Sequence, residues 1–461
     1  MFEKNIYIQR RERLISKMQS GIIILPGNND VGMNYAHNPY HFRQDSDFLY
    51  FFGIDRAGLV GIIDIDTGST TLFGDDYTLD DLVWMGKQPT LAELAAKSGI
   101  LKPKSLQKID DIITPAKRSR RQIHFLPQYR HDNIIALHEW LSLPISNIKN
   151  GASVELIKAV VALRSIKGVE EIAEMEEAVN ITRKMHIAVM KAARPGMYES
   201  ELAGIAQSIA IAHQGQLSYP IIMSKNGQIL HNHYQGNKLE EGDLVLGDYG
   251  AENTMHYAGD ITRTFPISKK FSAQQLDIYN IVLRAEMAVI EHLKPGVPYR
   301  NLHLLAAGII LDGLKGMGLI KGNIEDALQA GAYGLFFPHG LGHMIGLDVH
   351  DMEGLGENYV GYRDGLERSN QFGFKYLRLA KELESGFVLT VEPGIYFIPE
   401  LIENWKSYKK HREFINYQTL NLFKNFGGIR IEDNCLISDN GYRVLGKPIP
   451  KTVKEIEGLR S

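Results

Sequence analysis

The first third of the chain alternates short apolar runs with polar segments, which is typical of a mixed α/β domain. Residues 7–20 have the spacing of a short amphipathic helix. The apolar run 21–27 (GIIILPG) ends in a Pro-Gly turn and predicts a strand. Residues 42–55 and 58–66 are predicted as two further strands, and residues 75–99 as helical.

A break in helical periodicity indicates where the first domain ends. The periodicity runs through 152–193 and is interrupted at Gly168, which predicts two helices with a short connection. We place the domain boundary near 165–170. This gives a smaller N-terminal α/β domain, 1–167, and a larger C-terminal domain, 168–461.

The remaining two-thirds of the chain carries both helical and strand patterns, so we expect an α+β domain. Further helices are predicted at 198–215, 272–293 and 299–319. Strands are predicted at 242–250, 256–267, 386–397 and 427–437. Several of these strands contain carboxylates within apolar runs.

The overall composition narrows the class of protein. With 51 Lys and Arg against 54 Asp and Glu, the net charge of −3 lacks the basic excess of nucleic-acid binders. The basic run 117–121 is expected to be a solvated surface. The single cysteine, Cys435, excludes an internal disulfide and a cysteine-based zinc cluster. Neither a signal peptide nor a membrane-spanning run is recognisable, so we expect a cytoplasmic protein that does not act on membranes.

The carboxylates within the strand patterns need an explanation, because a bare buried charge is costly. Asp248 closes the apolar run Leu244–Gly247, and Asp260 follows on the predicted return strand of the same hairpin. Glu392 ends another apolar run, directly before a Pro-Gly turn. Glu432 alternates with isoleucines and shares its face with an arginine. Metal ions or salt bridges to arginine could compensate these charges.

Three histidines favour metal ions over salt bridges as the groups that compensate these carboxylates. His339, His343 and His350 lie in the glycine-rich stretch 338–351 (PHGLGHMIGLDVHD). Gly340 replaces the glutamate of an H-E-x-x-H zinc motif, which argues against that class. One imidazole with several carboxylates is an oxygen-rich set that suits Mn²⁺, Co²⁺, Mg²⁺ or Zn²⁺ in paired sites.

Taken together, these motifs resemble those of a known family, the proline-specific metallopeptidases of pita-bread fold. The family contains Xaa-Pro aminopeptidase (aminopeptidase P) and prolidase. The N-terminal segment FRQDSDFLYFFGID also resembles the N-terminal domain of aminopeptidase P. The C-terminal motifs that carry the resemblance are AGDITRTFP (258–266), PHGLGHMIGLDVHD (338–351), VLTVEPGIYF (388–397) and GGIRIED (427–433).

The resemblance implies a dinuclear metal centre with Asp260 and Glu432 bridging both ions. Asp248 would complete one site, and His343 with Glu392 the other. Mn²⁺ is the expected metal, with Co²⁺ or Zn²⁺ as alternatives. The segment between the first two ligands is one residue longer than is usual in the family.

Further residues receive roles from the same resemblance. His231 and His350 match gating and proton-shuttling histidines, and His339 matches a histidine on the substrate side. Arg430 matches an arginine beside the bridging glutamate. Arg378 matches a prolidase arginine that faces the carboxylate of a dipeptide.

The implied activity is hydrolysis of the bond between an N-terminal residue and a following proline. Glu392 would act as general base and His231 would stabilise the oxyanion, while His350 would contact the proline side. We expect an Xaa-Pro aminopeptidase that forms a homodimer or homotetramer. The long insert 398–426 resembles prolidase, so an Xaa-Pro dipeptidase is the alternative. A non-catalytic pita-bread binding module is the alternative from another class, which the intact ligand positions disfavour.

Overall fold

The structure is a computed structural model, which describes residues 1–225 and 227–460. Along the chain it divides into two units between Arg164 and Ser165. Unit 1 also includes Met352–Tyr359, and unit 2 continues from Val360 onward. The predicted domain boundary between residues 167 and 168 stays a prediction.

Unit 1 is built around a four-stranded sheet. Its strands are β1 (Ile22–Pro26), β2 (Val60–Asp64), β3 (Thr70–Phe73) and β4 (Ile123–His124). Its helices are α1 (Lys4–Ser16), α2 (Ser46–Phe52), α3 (Leu79–Met85), α4 (Leu91–Lys97), α5 (Asp110–Arg118), α6 (His131–Leu141), α7 (Ile145–Asn150) and α8 (Val154–Ser165). The strand order in the sheet is β3-β2-β1-β4, with β1 antiparallel to β2 and parallel to β4. Isoleucines of the sheet pack with apolar residues of α5 and α6 into one core.

The strand predicted within 42–55 is wrong, because this segment forms the helix α2. The Asp45 side chain accepts a hydrogen bond from the Phe48 backbone N–H and caps the helix N-terminus. Gly53 ends the helix with a φ of +67°, a conformation that glycine adopts without strain. All seven helical residues are buried, so their apolar pattern could not distinguish a buried helix from a strand.

Unit 2 combines long helices with short antiparallel strands. Its strands are β5 (Gln216–Leu217), β6 (Ile222–Ser224), β7 (Leu244–Tyr249), β8 (Ala251–Glu252), β9 (Ile261–Pro266), β10 (Val388–Val391), β11 (Gly394–Tyr396), β12 (Gly428–Arg430), β13 (Asp433–Ser438) and β14 (Gly441–Val444). Its helices are α9 (Val169–Ala192), α10 (Glu199–Ala212), α11 (Ala273–Glu291), α12 (Tyr299–Gly316), α13 (Ile324–Ala330), α15 (Pro399–Ser407), α16 (Tyr417–Leu420) and α17 (Val453–Arg460). The short helix α14 (Glu357–Val360) contains the unit boundary along the chain.

The predicted hairpin that carries the first two carboxylates is present. Strands β7 and β9 pair antiparallel, with Leu244 opposite Pro266 and Tyr249 opposite Ile261. Asp248 therefore lies within β7, and Asp260 directly precedes β9. The hairpin brings both residues to the same end of the two strands.

The other two carboxylates lie at breaks between strands, whereas the sequence predicted continuous strands there. Glu392 separates β10 from β11, and Glu432 separates β12 from β13. Strand β10 pairs with β13, and β11 pairs with β12, all antiparallel. Pro393 lacks an N–H for the ladder, which is one physical reason for the break beside Glu392.

Among the described residues, no helix is both long enough and apolar enough to cross a bilayer. The cytoplasmic location stays a prediction.

Candidate metal and peptidase site

Unit 2 contains a cavity of about 920 Å³, here called the central cavity. All ten residues that the sequence singled out line it. These are His231, Asp248, Asp260, His339, His343, His350, Arg378, Glu392, Arg430 and Glu432. Residues that lie up to about two hundred positions apart are thus brought to one place, as a shared site requires.

Backbone contacts with β10 fix the position of His343. The His343 carbonyl accepts the Thr390 N–H at 2.9 Å, and the His343 N–H donates to Thr390 Oγ1 at 3.1 Å. Gly342 allows this close approach, because a Cβ there would lie 2.1 Å from the Thr390 carbonyl oxygen. The glycines of the 338–351 stretch therefore serve backbone packing, and the stretch contains no α-helix.

The metal-ligating geometry centres on Asp260, His343 and Glu432. One potential ligand atom from each of these three lies within 4.8 Å of the others. His343 Nε2 is 3.4 Å from Asp260 Oδ2 and 3.6 Å from Glu392 Oε1. The opposite ring nitrogen, Nδ1, donates to the Met344 carbonyl at 3.0 Å, which orients Nε2 toward the carboxylates.

The buried carboxylates fit a site for divalent cations. Glu432 is 1% exposed, and its Oε1 has no hydrogen-bond partner among the described residues. Burial, together with the charges of Asp260 and Asp248 and against the opposing charge of Arg430, raises the pKa of Glu392 to about 8. Burial is also the largest cause of the raised pKa values of Asp248, Asp260 and Glu432. A bound cation would relieve both the desolvation and the mutual repulsion of these groups.

Arg430 connects two parts of this carboxylate set. It donates from Nη2 to Asp248 Oδ2 at 2.5 Å and from Nε to Thr262 Oγ1 at 3.1 Å. Thr262 Oγ1 in turn donates to Glu432 Oε2 at 2.6 Å. Arg430 is therefore linked to Glu432 through Thr262, a residue that the sequence did not single out.

Arg430 also reaches His339 through a tyrosine. Its Nη1 donates to the Tyr396 hydroxyl at 2.7 Å, and that hydroxyl lies 2.8 Å from His339 Nε2. His339 Nδ1 donates to the Gly340 carbonyl at 2.7 Å, which leaves Nε2 as the acceptor from Tyr396. Burial lowers the pKa of His339 to about 3, with Arg430 as the next cause, so the imidazole is neutral.

Tyr219 is a site residue that sequence reasoning missed. Its hydroxyl lies 2.5 Å from Asp248 Oδ1 and also contacts Asp260 Oδ1. It therefore joins the two carboxylates of the β7–β9 hairpin. Tyr219 lies in the segment before β6, outside any motif, and no pattern in the sequence indicated it.

His350 and Arg378 are in direct contact. Arg378 Nη1 donates to His350 Nε2 at 3.1 Å. The His350 ring packs edge-on against the His343 ring, with 4.1 Å between the ring centroids. His231 lies at the exposed edge of the cavity.

One wall of the cavity comes largely from the segment 398–426, whose role the sequence did not specify. Ile398 and the α15 residues Glu400, Leu401 and Asn404 line this wall, so it offers both apolar and polar side chains. Phe372 and Tyr376 contribute aromatic rings to the cavity. A cavity that combines apolar walls with a few convergent polar groups is typical of a small-ligand site.

Comparisons with known proteins agree with this geometry. Residues 173–439 match the model of metallopeptidase family M24, and residues 7–124 match that of the aminopeptidase P N-terminal domain. The chain is 33% identical to human Xaa-Pro dipeptidase, across 98% of this chain and 92% of that protein. It is 31% identical to a probable Xaa-Pro aminopeptidase of Metarhizium acridum, across 95% of this chain and 85% of that protein.

Two solved structures are similar over the whole chain. Pseudomonas aeruginosa aminopeptidase PepP superposes with a TM-score of 0.82 at 28% identity, covering 100% of this chain and 98% of that one. Zinc-substituted E. coli aminopeptidase P in complex with product superposes with a TM-score of 0.81 at 28% identity, with the same coverage of both chains. The predicted family and the predicted two-domain α+β architecture are confirmed. The chain belongs to metallopeptidase family M24.

Proposed function

We propose that this metallopeptidase is an Xaa-Pro aminopeptidase, which releases the N-terminal residue from peptides with proline in the second position. The observation that carries the proposal is the convergence of four carboxylates and His343 in one cavity. The match of residues 7–124 to the aminopeptidase P N-terminal domain supports the choice within the family. The aminopeptidase P structures similar over the full chain support it as well.

The metal centre is proposed to hold two divalent ions, with Mn²⁺ as the expected metal and Co²⁺ or Zn²⁺ as alternatives. Asp260 and Glu432 would be shared by both ions. Asp248 would complete one site, and His343 with Glu392 would complete the other. Support comes from His343 Nε2, which faces both Asp260 and Glu392, and from Tyr219, which joins Asp248 to Asp260. When bound, such ions polarise the substrate carbonyl and lower the pKa of water.

Glu392 is the proposed proton carrier. It takes a proton from the attacking water and returns it to the leaving proline nitrogen. The Glu392 side chain is 18% exposed and lines the cavity, so substrate can reach it. Its Oε1 faces His343, and its Oε2 lies 3.9 Å from His339 Nδ1. The carboxylate is therefore held between a proposed metal ligand and a substrate-side histidine.

The remaining polar groups are assigned to substrate. His231 at the cavity edge is the proposed donor to the developing oxyanion. His350 is assigned to the proline side of the scissile bond. His339, which Arg430 reaches through the Tyr396 hydroxyl, is assigned a second contact with the substrate. The apolar side chains of Ile398 and Leu401 in the cavity suit a proline ring, which presents no N–H and needs no acceptor.

A substrate panel tests the proposal. Metal-reconstituted protein is assayed on an Xaa-Pro dipeptide, an Xaa-Pro-Yaa tripeptide and a Met-Ala peptide, side by side. We expect the tripeptide to be cleaved at least as efficiently as the dipeptide, and the Met-Ala peptide to be a poor substrate. Preferential cleavage of Met-Ala would contradict proline specificity. No cleavage of any of the peptides would favour a non-catalytic binding module.

The second candidate is an Xaa-Pro dipeptidase. Arg378 favours it, because a guanidinium inside the cavity suits the terminal carboxylate of a dipeptide. The 33% identity to human Xaa-Pro dipeptidase over almost the whole chain also favours it. If the enzyme ignores the tripeptide and cleaves the dipeptide, this candidate replaces the first.

We further propose that the protein is a homodimer or homotetramer. The support comes from unit 1, where helix α3 buries none of its own residues. Its Leu79, Val83 and Trp84 are 77–87% exposed. An apolar helix face of this kind is typical of a protein–protein contact. Light scattering coupled to gel filtration measures the oligomeric state, and a Trp84→Asp variant is expected to shift it toward the monomer.

A further inference from the structure

A short loop, residues 344–351, folds back on itself beside two site histidines. His343 directly precedes the loop, and His350 is its second-last residue. The Asp351 N–H donates to the Met344 carbonyl at 2.9 Å and closes the loop. The Met344 carbonyl also accepts from His343 Nδ1 at 3.0 Å. The same carbonyl therefore closes the loop and orients the imidazole of the proposed metal ligand.

The Asp351 carboxylate lies against the inner side of this loop. Its Oδ1 accepts the Asp348 N–H at 3.3 Å. Gly346 makes room for it, because a Cβ at that position would lie 2.7 Å from Asp351 Oδ2. The carboxylate therefore contacts the middle of the loop as well as its end.

A buried lysine neutralises this carboxylate. Lys167 Nζ lies 2.8 Å from Asp351 Oδ2, and both side chains are 1% exposed. Among the described residues, Asp351 is the only hydrogen-bond partner of the Lys167 ammonium group. The Lys167 backbone N–H donates to the Gly386 carbonyl at 2.9 Å, just before β10. Removing Asp351 would leave the Lys167 ammonium group buried without this partner, and a protein tolerates such a buried charge poorly.

We infer that Lys167 and Asp351 are positioning residues that hold the 344–351 loop closed and thereby keep His350 against His343. The inference rests on the proposed function only for the catalytic consequence of His350. The geometry itself requires the closed loop, since the His350 ring lies 4.1 Å from the His343 ring and accepts a hydrogen bond from Arg378. An ion pair without access to water resists opening more than a surface pair does.

The test compares Lys167→Met with wild-type enzyme by hydrogen–deuterium exchange of the metal-loaded protein. We expect peptides that cover 344–351 to exchange at least tenfold faster in the variant, with the metal content retained. For the substrate cleaved by wild type, kcat/KM should fall at least thirtyfold, mainly through kcat. The matched control is Arg164→Met, which breaks the buried Arg164–Asp47 pair of unit 1, where Nη1 and Oδ1 are 2.6 Å apart. The control should leave exchange at 344–351 unchanged.

A double variant separates positioning from stability. Lys167→Met with Asp351→Asn removes both charges of this pair, so its Tm should recover relative to either single variant. The exchange rate at 344–351 and the loss of kcat should persist, because the link to residue 167 is still missing. If Lys167→Met does not fold, exchange at 344–351 and kcat of the double variant are compared with those of wild type instead. Wild-type exchange at 344–351 in the folded variants would overturn the inference. The exchange result stands even if the substrate panel refutes the proposed activity.

Discussion

Glu392 and Glu432 lie opposite one another, each at the break between two strands. Val391 is paired with Asp433 on one side of the gap, and Gly394 with Arg430 on the other. The pairing of β10 with β13 therefore stops at the two glutamates and resumes as the pairing of β11 with β12. Both carboxylates line the central cavity, and so does Arg430, which precedes Glu432 by two positions and therefore shares its face.

Removing one of these carboxylates should have opposite effects on the metal-free and metal-loaded proteins. Glu432→Gln removes a buried charge that the neighbouring carboxylates repel. We expect the Tm of the variant, stripped with chelator at pH 8, to exceed that of stripped wild type by about 2–5 °C. After reloading, the wild type should be the more stable, because bound metal stabilises the state that binds it. Calorimetry with elemental analysis measures both, and full activity with two equivalents of metal in the variant would contradict the bridging role.

Tyr219→Phe should weaken metal binding without unfolding the protein. The change deletes the hydroxyl that joins Asp248 to Asp260. Loss of a partner that orients metal ligands costs roughly 10–100-fold in metal affinity. Titration calorimetry with Mn²⁺ measures the affinity. Tyr257→Phe is the matched control, because that hydroxyl donates to Glu171 at 3.0 Å outside the set of site residues, and its loss should leave the affinity unchanged.

His231→Ala should lower kcat by roughly 10²–10³, the scale of losing one oxyanion donor. Its side chain lies at the exposed cavity edge, so the Tm and the metal content should stay near those of wild type. The control is His233→Ala, which removes a second histidine that lines the cavity and should leave kcat near that of wild type. A large fall in Tm with normal kcat would identify His231 as structural.

His303→Phe should make the protein less sensitive to acid. Burial lowers the pKa of His303 to about 3, and the ring is stacked among aromatic residues. Between about pH 6.5 and 3 the unfolded chain binds a proton here and the folded chain does not, so stability is lost as the pH falls. Between pH 8 and pH 5, the variant should lose about 2 kcal/mol less unfolding free energy than wild type. Urea titrations at both pH values give the difference, and equal losses would refute the expectation.

Arg378→Ala should discriminate between substrate lengths. If the guanidinium binds the terminal carboxylate of a dipeptide, the variant should lose far more kcat/KM on Xaa-Pro than on Xaa-Pro-Yaa. Arg363→Ala is the control, since that arginine is exposed and pairs with Glu382 at the surface. Equal losses on both substrates would assign Arg378 to holding His350 instead.

The sequence predicted the carboxylates and histidines of the cavity because each stands out locally. A charge within an apolar run, or a histidine among glycines, is visible within ten residues of chain. Tyr219 and Tyr396 act through hydroxyl contacts with residues 29 to 57 positions away, and no local pattern records such contacts. The helix α2 was missed for a related reason, since burial on all sides removes the periodicity that distinguishes helix from strand.

The cavity draws its carboxylates and the side chains of one wall from different parts of the chain. The carboxylates and His343 depend on strand pairings of the core, whereas Ile398 and Leu401 belong to the insert that follows β11. Changes in the insert can therefore alter which peptides enter the cavity, while the carboxylates and His343 keep their positions. For protein engineering, the insert is accordingly the segment to graft or randomise when a new peptide preference is wanted.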